Sequence, residues 1–529
     1  MAAGGIPSYS IFDMNIFHAR NADFGGARAL AALGAAGAFL AFANPVARFP
    51  LLIVLFPWCL GRLALSAQSP KRAFRLGWLC GTLAASAGLY WIALPVHDFG
   101  FLPWILAVPC PMAMGCVLGL YTGLFCWALA RTRGAFGPVL WGVFAGLFWW
   151  GLEALKGWLF TGFPWFPLAE ALVPWPWAIQ SVNVVGAYGL SALLATVGVW
   201  LASAEPGSKA RPILAALALS ALLAGYGWWS LDRPLAPSGV FSAALIQGNV
   251  DQSVKWSPDV QEDTIRKYAG LSRETLFAKP DILLWPETAM PFFLQEQTPL
   301  SAMVRDFARQ AGVPLVTGSP GFERAKGREV LVFNSAFLVN PDGAVSQYDK
   351  QHLVPFGEYA PFGSDIPILE ALLQGVGAFT PGRRTAPLRW GRVAMGMLIC
   401  YESIFPELAQ KRVDDGANVL VNLSNDAWFG RSAAPVQQLE LAALRAVEQG
   451  RSLVRATNTG ISAVIDSRGR IAHPTGLFTD AAPVVDNISL FDDVTLFHLA
   501  HGWLEGLAGL AALGLLAFAA LAKNRNSKV

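Results

Sequence analysis

Charge is what this sequence has least of. Asp, Glu, Lys and Arg make up 14% of its 529 residues, against about 25% in an ordinary soluble domain, so the chain as a whole is not one. A mean hydropathy of +0.44 excludes a disordered chain. Cysteine is scarce too, at six residues, which excludes a disulfide scaffold. There is no HExxH string, no nucleotide-binding glycine-rich loop, no internal repeat and no low-complexity tract. The few charges are gathered in one place. Between Asp232 and Ala500 lie 29 of the 36 acidic and 24 of the 39 basic residues, which leaves 7 and 15 for the other 260 residues. The chain therefore reads as two physical objects: a membrane part, and a water-soluble insert large enough to bury its own core.

A helix needs about 20 apolar residues to cross a bilayer. Charge-free stretches at 29–47, 76–97, 99–130, 134–152, 171–204, 212–231 and 506–522, with an apolar run at 49–70 broken by Arg62, predict eight spans. They fall near 27–44, 49–68, 74–95, 101–130, 138–156, 180–203, 212–231 and 503–522. Arg62 has to snorkel or lie at a helix end, and Pro103, Pro109 and Pro111 point to a surface loop in part of the fourth span. With a cytoplasmic N-terminus, 13 Lys and Arg residues of the short loops and tail face inward and two, Arg48 and Lys156, face outward. That bias puts the insert outside the cytoplasm and both termini inside. The first apolar stretch follows a polar lead and precedes more spans, so it reads as an anchor and not a cleaved signal. The expected division is 1–237 with seven spans, an insert domain over 238–495, and a last span with its tail over 496–529. Segment 157–180 holds four tryptophans among four prolines. It reads as an interfacial loop or as a lipid-facing wall beside an active site, and the sequence leaves both open.

From about Val240 short β-branched runs alternate with polar helical stretches. Strands are predicted at 241–247, 281–286, 314–319, 332–339, 393–400, 418–424, 452–457 and 461–466, and helices at 258–277, 299–311, 402–412 and 434–449. Continuous apolar strands imply a sheet covered on both faces, hence a layered α/β domain. Five of the six cysteines lie in predicted spans, and Cys400 alone lies in the insert. It ends the run VAMGMLIC and is followed at once by the helix-starting YESIFPELAQ. A nucleophile at such a turn projects into a cleft, where a helix N-terminus favours thiolate. The thiol still needs a base. His352 and His473 lie in loops and His498 near the last span, so none is promising. Glu287, at the end of DILLWPE, fits the part, since burial raises a carboxylate's pKa. Lys350, in SQYDKQHLVPFGEYAPF, would hold an oxyanion if it faces a cleft, and Glu358 would orient that lysine or polarise a substrate amine. Each has a plain alternative: an inert buried thiol, a solvated cap, a surface cation.

Glu, Lys and Cys in that chain order, each at a strand end, resemble the catalytic triad of the nitrilase (carbon–nitrogen hydrolase) superfamily. The strings WPE (285–287), YDKQHLVPFGEYAPF (348–362), CYES (400–403) and SNDAWFG (424–430), with IQGNVDQSVKW (246–256) and LRAVEQGRSLVRATNTG (444–460), resemble the apolipoprotein N-acyltransferases of bacterial inner membranes. The predicted topology is similar to that family's as well. The resemblance implies an integral membrane α-helical bundle of about eight transmembrane helices carrying an extracytoplasmic nitrilase-like α/β domain, an αββα sandwich. It implies transfer of an acyl chain, from a phospholipid donor of the phosphatidylethanolamine type, through a thioester on Cys400 to the α-amino group of a diacylglyceryl-cysteine that begins an apolipoprotein acceptor. Glu287 is then the base and Lys350 the oxyanion partner. Glu358 and Glu402 fix the lysine and the nucleophile loop. Trp256 and Tyr401 contact the acyl chain or substrate, and Asn334 hydrogen-bonds in the cleft or is a satisfied core residue. Asn425 and Asp426 organise a loop, Trp428 and Phe429 contact lipid, and Arg445 is structural. Segments 360–382 and 425–435 are expected to be mobile arms, and the leading 25 or so residues have no assigned role. No cofactor, no metal and no nucleic acid is expected, and the chain is expected to be a monomer in contact with membrane lipid.

Two other readings compete. A membrane-tethered amidase would use the same three residues with water as acceptor, but a soluble amide needs no membrane part. A transporter or receptor would place ionisable residues at mid-membrane, whereas Glu153 and Lys156 fall near a predicted span end and Glu170 in the loop beyond it.

Overall fold

Uninterrupted apolar sequence has one way to satisfy its backbone in a membrane, which is to coil into helices. The computed structural model, which describes residues 24–204, 210–324, 330–359 and 379–526, begins with nine of them. They are α1 (Phe24–Ala41), α2 (Leu55–Ser66), α3 (Pro70–Gly88), α4 (Ala93–Asp98), α5 (Trp104–Ala107), α6 (Pro109–Thr132), α7 (Pro138–Trp158), α8 (Val182–Ala202) and α9 (Arg211–Asp232). Proline opens α3, α6 and α7, where a missing N–H costs nothing. Among the described residues, five stretches are long and apolar enough to cross a membrane: Trp104–Thr132, Pro138–Thr161, Val182–Ser203, Arg211–Asp232 and Trp503–Ala522. The pair Pro70–Gly88 and Tyr90–Asp98 makes a sixth if taken as one span bent by 57°, and two shorter apolar helices cover Gly25–Ala41 and Pro50–Ser66.

The pattern predicts an unbroken third span over 74–95, but the helix breaks at Leu89. The Gly88 carbonyl freed there accepts a hydrogen bond from Gln437 Nε2 at 3.4 Å, so a side chain inserted into the ladder accounts for the bend. Arg62 lies in the last turns of α2 and donates to the Ala202 carbonyl at the end of α8 at 3.2 Å, which spends its charge on a helix terminus. Small residues let α3 and α6 approach closely. A Cβ on Gly81 would stand 2.0 Å from Thr122 Oγ1.

The insert forms two mixed six-stranded sheets. The first takes β1 (Gly239–Leu245), β2 (Ile282–Leu284), β3 (Leu315–Arg324), β4 (Val330–Val339), β5 (Val345–Asp349) and the late strand β12 (Val484–Leu490), in the order β12-β1-β2-β3-β4-β5. The second takes β6 (Leu388–Trp390), β7 (Val393–Ile399), β8 (Val419–Ser424), β9 (Leu453–Thr457), β10 (Ala463–Ile465) and β11 (Ile471–Ala472), in the order β11-β10-β9-β8-β7-β6. In each sheet the three central strands are parallel: β1, β2 and β3 in one, β7, β8 and β9 in the other.

Side-chain alternation then sorts the layers. Leu245, Leu284 and Val316 meet Met397, Val421 and Val454 between the sheets. Helices α10 (Pro258–Thr275) and α11 (Pro299–Ala311) cover the outer face of the first sheet through Tyr268, Val304 and Phe307. Helices α12 (Pro406–Asp414) and α13 (Ala434–Gln449) cover the second, with Val413, Leu441 and Leu444 on Leu398, Leu420 and Leu453. This is a four-layered α/β sandwich, helices outside and two sheets within, on a helical region. The α13 layer shares one apolar cluster with Trp165, Leu168 and Val182 of the helical part, so α13 is buried on both sides. The chain ends in α14 (Leu496–Ala500) and α15 (Trp503–Asn526).

The helix predicted over 402–412 starts later than expected: Cys400–Ile404 is a single tight turn, and α12 begins at Pro406. Of the expected arms, 360–378 lies outside the described residues, as do the leading residues 1–23.

Candidate active site

Parallel strands deliver side chains at their carboxyl ends, and both sheets do so here. Glu287 follows β2 in a turn that lies against β3. A Cβ on Gly318 would stand 2.3 Å from the Thr288 nitrogen, so only glycine lets the strand pass so close. The Glu287 carboxylate is buried and held at both oxygens. Oε1 accepts from Asn334 Nδ2 at 2.8 Å, and Oε2 accepts from the Asn425 backbone N–H at 2.8 Å. Lys350 follows β5, with its own N–H on the Asn334 carbonyl at 2.8 Å. Its Nζ lies 2.9 Å from Glu358 and 3.6 Å from Glu287 Oε1. Glu358 in turn accepts from Asn334 Nδ2 and from the Val354 N–H, each at 2.8 Å. Burial opposes the Lys350 charge, but Glu358, Glu287 and Cys400 outweigh it and hold the ammonium above its usual range. It stays a cation.

Cys400 follows β7 at φ 51°, the left-handed region, which costs a non-glycine residue about 1 kcal/mol or more. The surroundings hold it there. The Ile399 N–H donates to Glu402 Oε2 at 2.8 Å, and the Cys400 carbonyl accepts from Ser403 Oγ at 2.9 Å and from Asn422 Nδ2 at 3.4 Å. Burial pushes the thiol up to about 12, Glu287 adds to this, and Lys350 opposes it. The expected push toward thiolate from a helix N-terminus is therefore corrected: only one tight turn follows the cysteine, and burial dominates.

Glu402 is fully buried and ties the two halves of the site together. Its carboxylate accepts from Tyr348 Oη at 2.9 Å, from the Gln351 and His352 N–H groups at 2.7 and 3.1 Å, and from Ile399 beside Cys400. Tyr401 reaches the helical part, donating from Oη to the Gly162 carbonyl at 3.3 Å, with its ring on Phe405. Trp256 is 49% exposed, next in sequence to the buried Lys255. Asn425 reaches the site through its backbone, and Asp426 through a buried ion pair with Arg455. Trp428 and Phe429 meet Phe99 and Trp91 of the helical part edge to face. Arg445 pairs with Glu448 inside α13 and donates to the Ile404 carbonyl.

The sequence reading misses three groups. Lys255 is fully buried, its Nζ 3.4 Å from the Glu287 carbonyl, and burial pulls it down to about 8. Gln438 Nε2 lies 3.9 Å from Cys400 Sγ. Gln437 accepts from both Trp91 and Trp165 at the junction with the helices. A lysine in QSVKW and glutamines in a helix look like surface residues; the legible hint is Arg455, a charge inside the apolar run SLVRAT. Among the described residues no three His, Cys, Asp or Glu side chains are grouped to hold a metal ion.

Two family models match the chain: Carbon-nitrogen hydrolase over residues 242–485, and Apolipoprotein N-acyltransferase N-terminal domain over 34–200. An apolipoprotein N-acyltransferase from Geobacter metallireducens is 39% identical over 476 residues, 86% of this chain and 89% of that protein. Another from Brucella melitensis biotype 1 is 35% identical over 524 residues, 92% and 94% of the two chains. A solved amidase from Nesterenkonia sp. matches 51% of this chain and 97% of its own at 21% identity, with a TM-score of 0.35.

Proposed function

The chain belongs to the apolipoprotein N-acyltransferase family, and from that premise we propose that it moves an acyl chain from a phospholipid to the amine of a diacylglyceryl-cysteine in two steps through Cys400. It is an N-acyltransferase of the nitrilase superfamily and a multi-pass membrane protein. Glu287 takes the Sγ proton, and the thiolate attacks the ester carbonyl. Lys350 stabilises the tetrahedral oxyanion. The C–O bond breaks, the lysophospholipid alkoxide takes the proton from Glu287, and a thioester remains. The acceptor amine then attacks that thioester, Glu287 accepts its proton, the C–S bond breaks, and the thiolate is reprotonated. Each oxyanion donor is worth about 10²–10³ in rate and the base about 10²–10⁴.

One observation carries this reading: the buried Lys350 Nζ lies 3.6 Å from Glu287 Oε1 and 2.9 Å from Glu358, a cation held beside the base. Glu358, Glu402 and Asn334 position those groups, and Tyr401 and Trp256 contact substrate. The lipid nature of both substrates is supported by the Tyr401–Gly162 contact and by a mostly apolar cavity among α1, α3, α6 and α7, reaching Trp149, Trp165 and Phe166, with Glu153 and Lys156 also in its wall. We assign eight spans by adding the bent pair and the two shorter apolar helices to the five long ones. The division falls at 237/238 and 495/496, with the sandwich periplasmic and both ends cytoplasmic in a bacterial inner membrane. The Lys/Arg bias of the loops supports that orientation. The protein acts as a monomer on a phosphatidylethanolamine-type donor. The test is a detergent assay with defined phospholipid and a diacylated lipopeptide. N-acylated product is expected; fatty acid released to water without transfer overturns the proposal in favour of an amidase-like hydrolase.

A further inference from the structure

The thiol's own surroundings contain a donor that the three-residue scheme leaves unused. Gln438 lies in the first turns of α13, fully buried, with Nε2 3.9 Å from Cys400 Sγ. An amide has two ends, and here its orientation is not free. Gln438 Oε1 accepts from Arg455 Nη2 at 2.9 Å, which leaves the NH₂ end for the sulfur. Arg455 is fixed in turn. Its Nη2 lies 3.1 and 2.8 Å from the two Asp426 oxygens, and both side chains are 0% exposed. Its Nη1 donates to Asn422 Oδ1, and Asn422 Nδ2 reaches the Leu398 and Cys400 carbonyls at 2.7 and 3.4 Å. One buried ion pair thus braces both the backbone of the nucleophile turn and the amide aimed at its sulfur. Buried polar groups of this kind are costly unless fully paired, and the free end of this chain of bonds is the reacting atom.

We propose that Gln438 is a catalytic residue that donates a hydrogen bond to the Cys400 thiolate, with Arg455 and Asp426 as the positioning residues that aim it. The inference rests on the thioester reading above. A thiolate exists twice in that sequence: when the Sγ proton passes to Glu287, and when the C–S bond of the thioester breaks under attack by the amine. A hydrogen bond to an ionised acceptor is about twice as strong as one to a neutral acceptor, so the donor favours both moments over the resting thiol and over the thioester.

Gln438→Glu is the informative variant. It keeps an oxygen for Arg455 and nearly the same shape, but removes the N–H and adds a carboxylate charge beside the sulfur; Gln438→Met removes donor and acceptor without adding charge, so an effect shared by the two reports the lost N–H. The full-length protein in detergent is assayed for acylation by labelled phospholipid, for release of the acyl group to a diacylated lipopeptide, and for alkylation of Cys400 by iodoacetamide as a function of pH, with a thermal melt of each variant. Both half-reactions are expected to slow by about tenfold or more. The alkylation curve is expected to shift to higher pH in Gln438→Glu and Gln438→Met alike, while Gln438→Glu melts close to the unsubstituted protein. An alkylation curve that matches the unsubstituted protein's, with turnover reduced only as far as folding is reduced, overturns the inference and leaves Gln438 a packing residue. If alkylating Cys400 in the unsubstituted protein leaves transfer intact, the thioester reading fails, and this one with it.

Discussion

At the scale of single residues, the site is a set of charges that burial makes strong. In the transfer assay, turnover is expected to fall by about 10²–10³ in Lys350→Met and by about 10²–10⁴ in Glu287→Gln, with the protein still folded. Lys255 makes a smaller, separable contribution. Its Nζ bonds the Glu287 carbonyl, not the carboxylate, so Lys255→Met costs about one hydrogen bond, on the order of 1 kcal/mol or about fivefold in kcat, with KM unchanged. A KM effect with kcat unchanged would move Lys255 into substrate binding. The thiol itself titrates in a predictable direction. Burial and Glu287 push Cys400 up to about 12, so the protonated form dominates at neutral pH, and the thiolate fraction grows about tenfold per pH unit below that value. Iodoacetamide labelling of Cys400 should therefore keep accelerating from about pH 6 to pH 9 without levelling off. A plateau below about pH 8 would mean a resting thiolate and contradict this account.

At the scale of elements, the Cys400 turn and the Lys350 loop are joined by one carboxylate. Glu402→Ala leaves Tyr348 Oη and the N–H groups of Gln351, His352 and Ile399 without their acceptor, at a cost on the order of 3 kcal/mol. A lower unfolding temperature together with lost turnover is expected, and Glu402→Gln should recover part of both; an unchanged melt would show that the turn is held elsewhere. Much of this layer is legible in the sequence. The central strands read as continuous apolar runs, and Glu287 and Cys400 stand out because each ends one. The edge strands β5, β6, β11 and β12 are harder to read: VSQYD and VVDNISL carry polar residues, and LRW and IA are very short. Gln438 and Lys255 are not legible at all. Their meaning comes from a neighbour far along the chain, Arg455 for one and Glu287 for the other. The break at Leu89 is hidden for the same reason, since the side chain that fills it is Gln437.

At the scale of the whole molecule, the charge-poor and charge-rich parts meet in a built joint. Arg48 pairs with Glu440, Gln437 bonds Trp91 and Trp165, and Glu448 accepts from the Ala187 N–H at 2.8 Å. The α13 layer lies between this joint and the second sheet, so residues 238–495 expressed alone would expose an apolar face of α13. Detergent-dependent association on gel filtration is expected, and a detergent-free monomer would contradict the shared core. Orientation has its own test. Phe277 is 88% exposed at the end of α10, so a Phe277→Cys variant should react with a membrane-impermeant maleimide in spheroplasts. Labelling only in inverted vesicles would reverse the assigned sidedness. The central claim is that acyl transfer passes through one sulfur. The most direct measurement is to incubate the full-length protein with acyl-labelled phospholipid, without acceptor, and to follow label on the chain. A hydroxylamine-sensitive adduct on Cys400 is expected, which a diacylated lipopeptide then discharges as N-acylated product; a Cys400→Ala variant that still acquires the adduct rules out transfer through this sulfur.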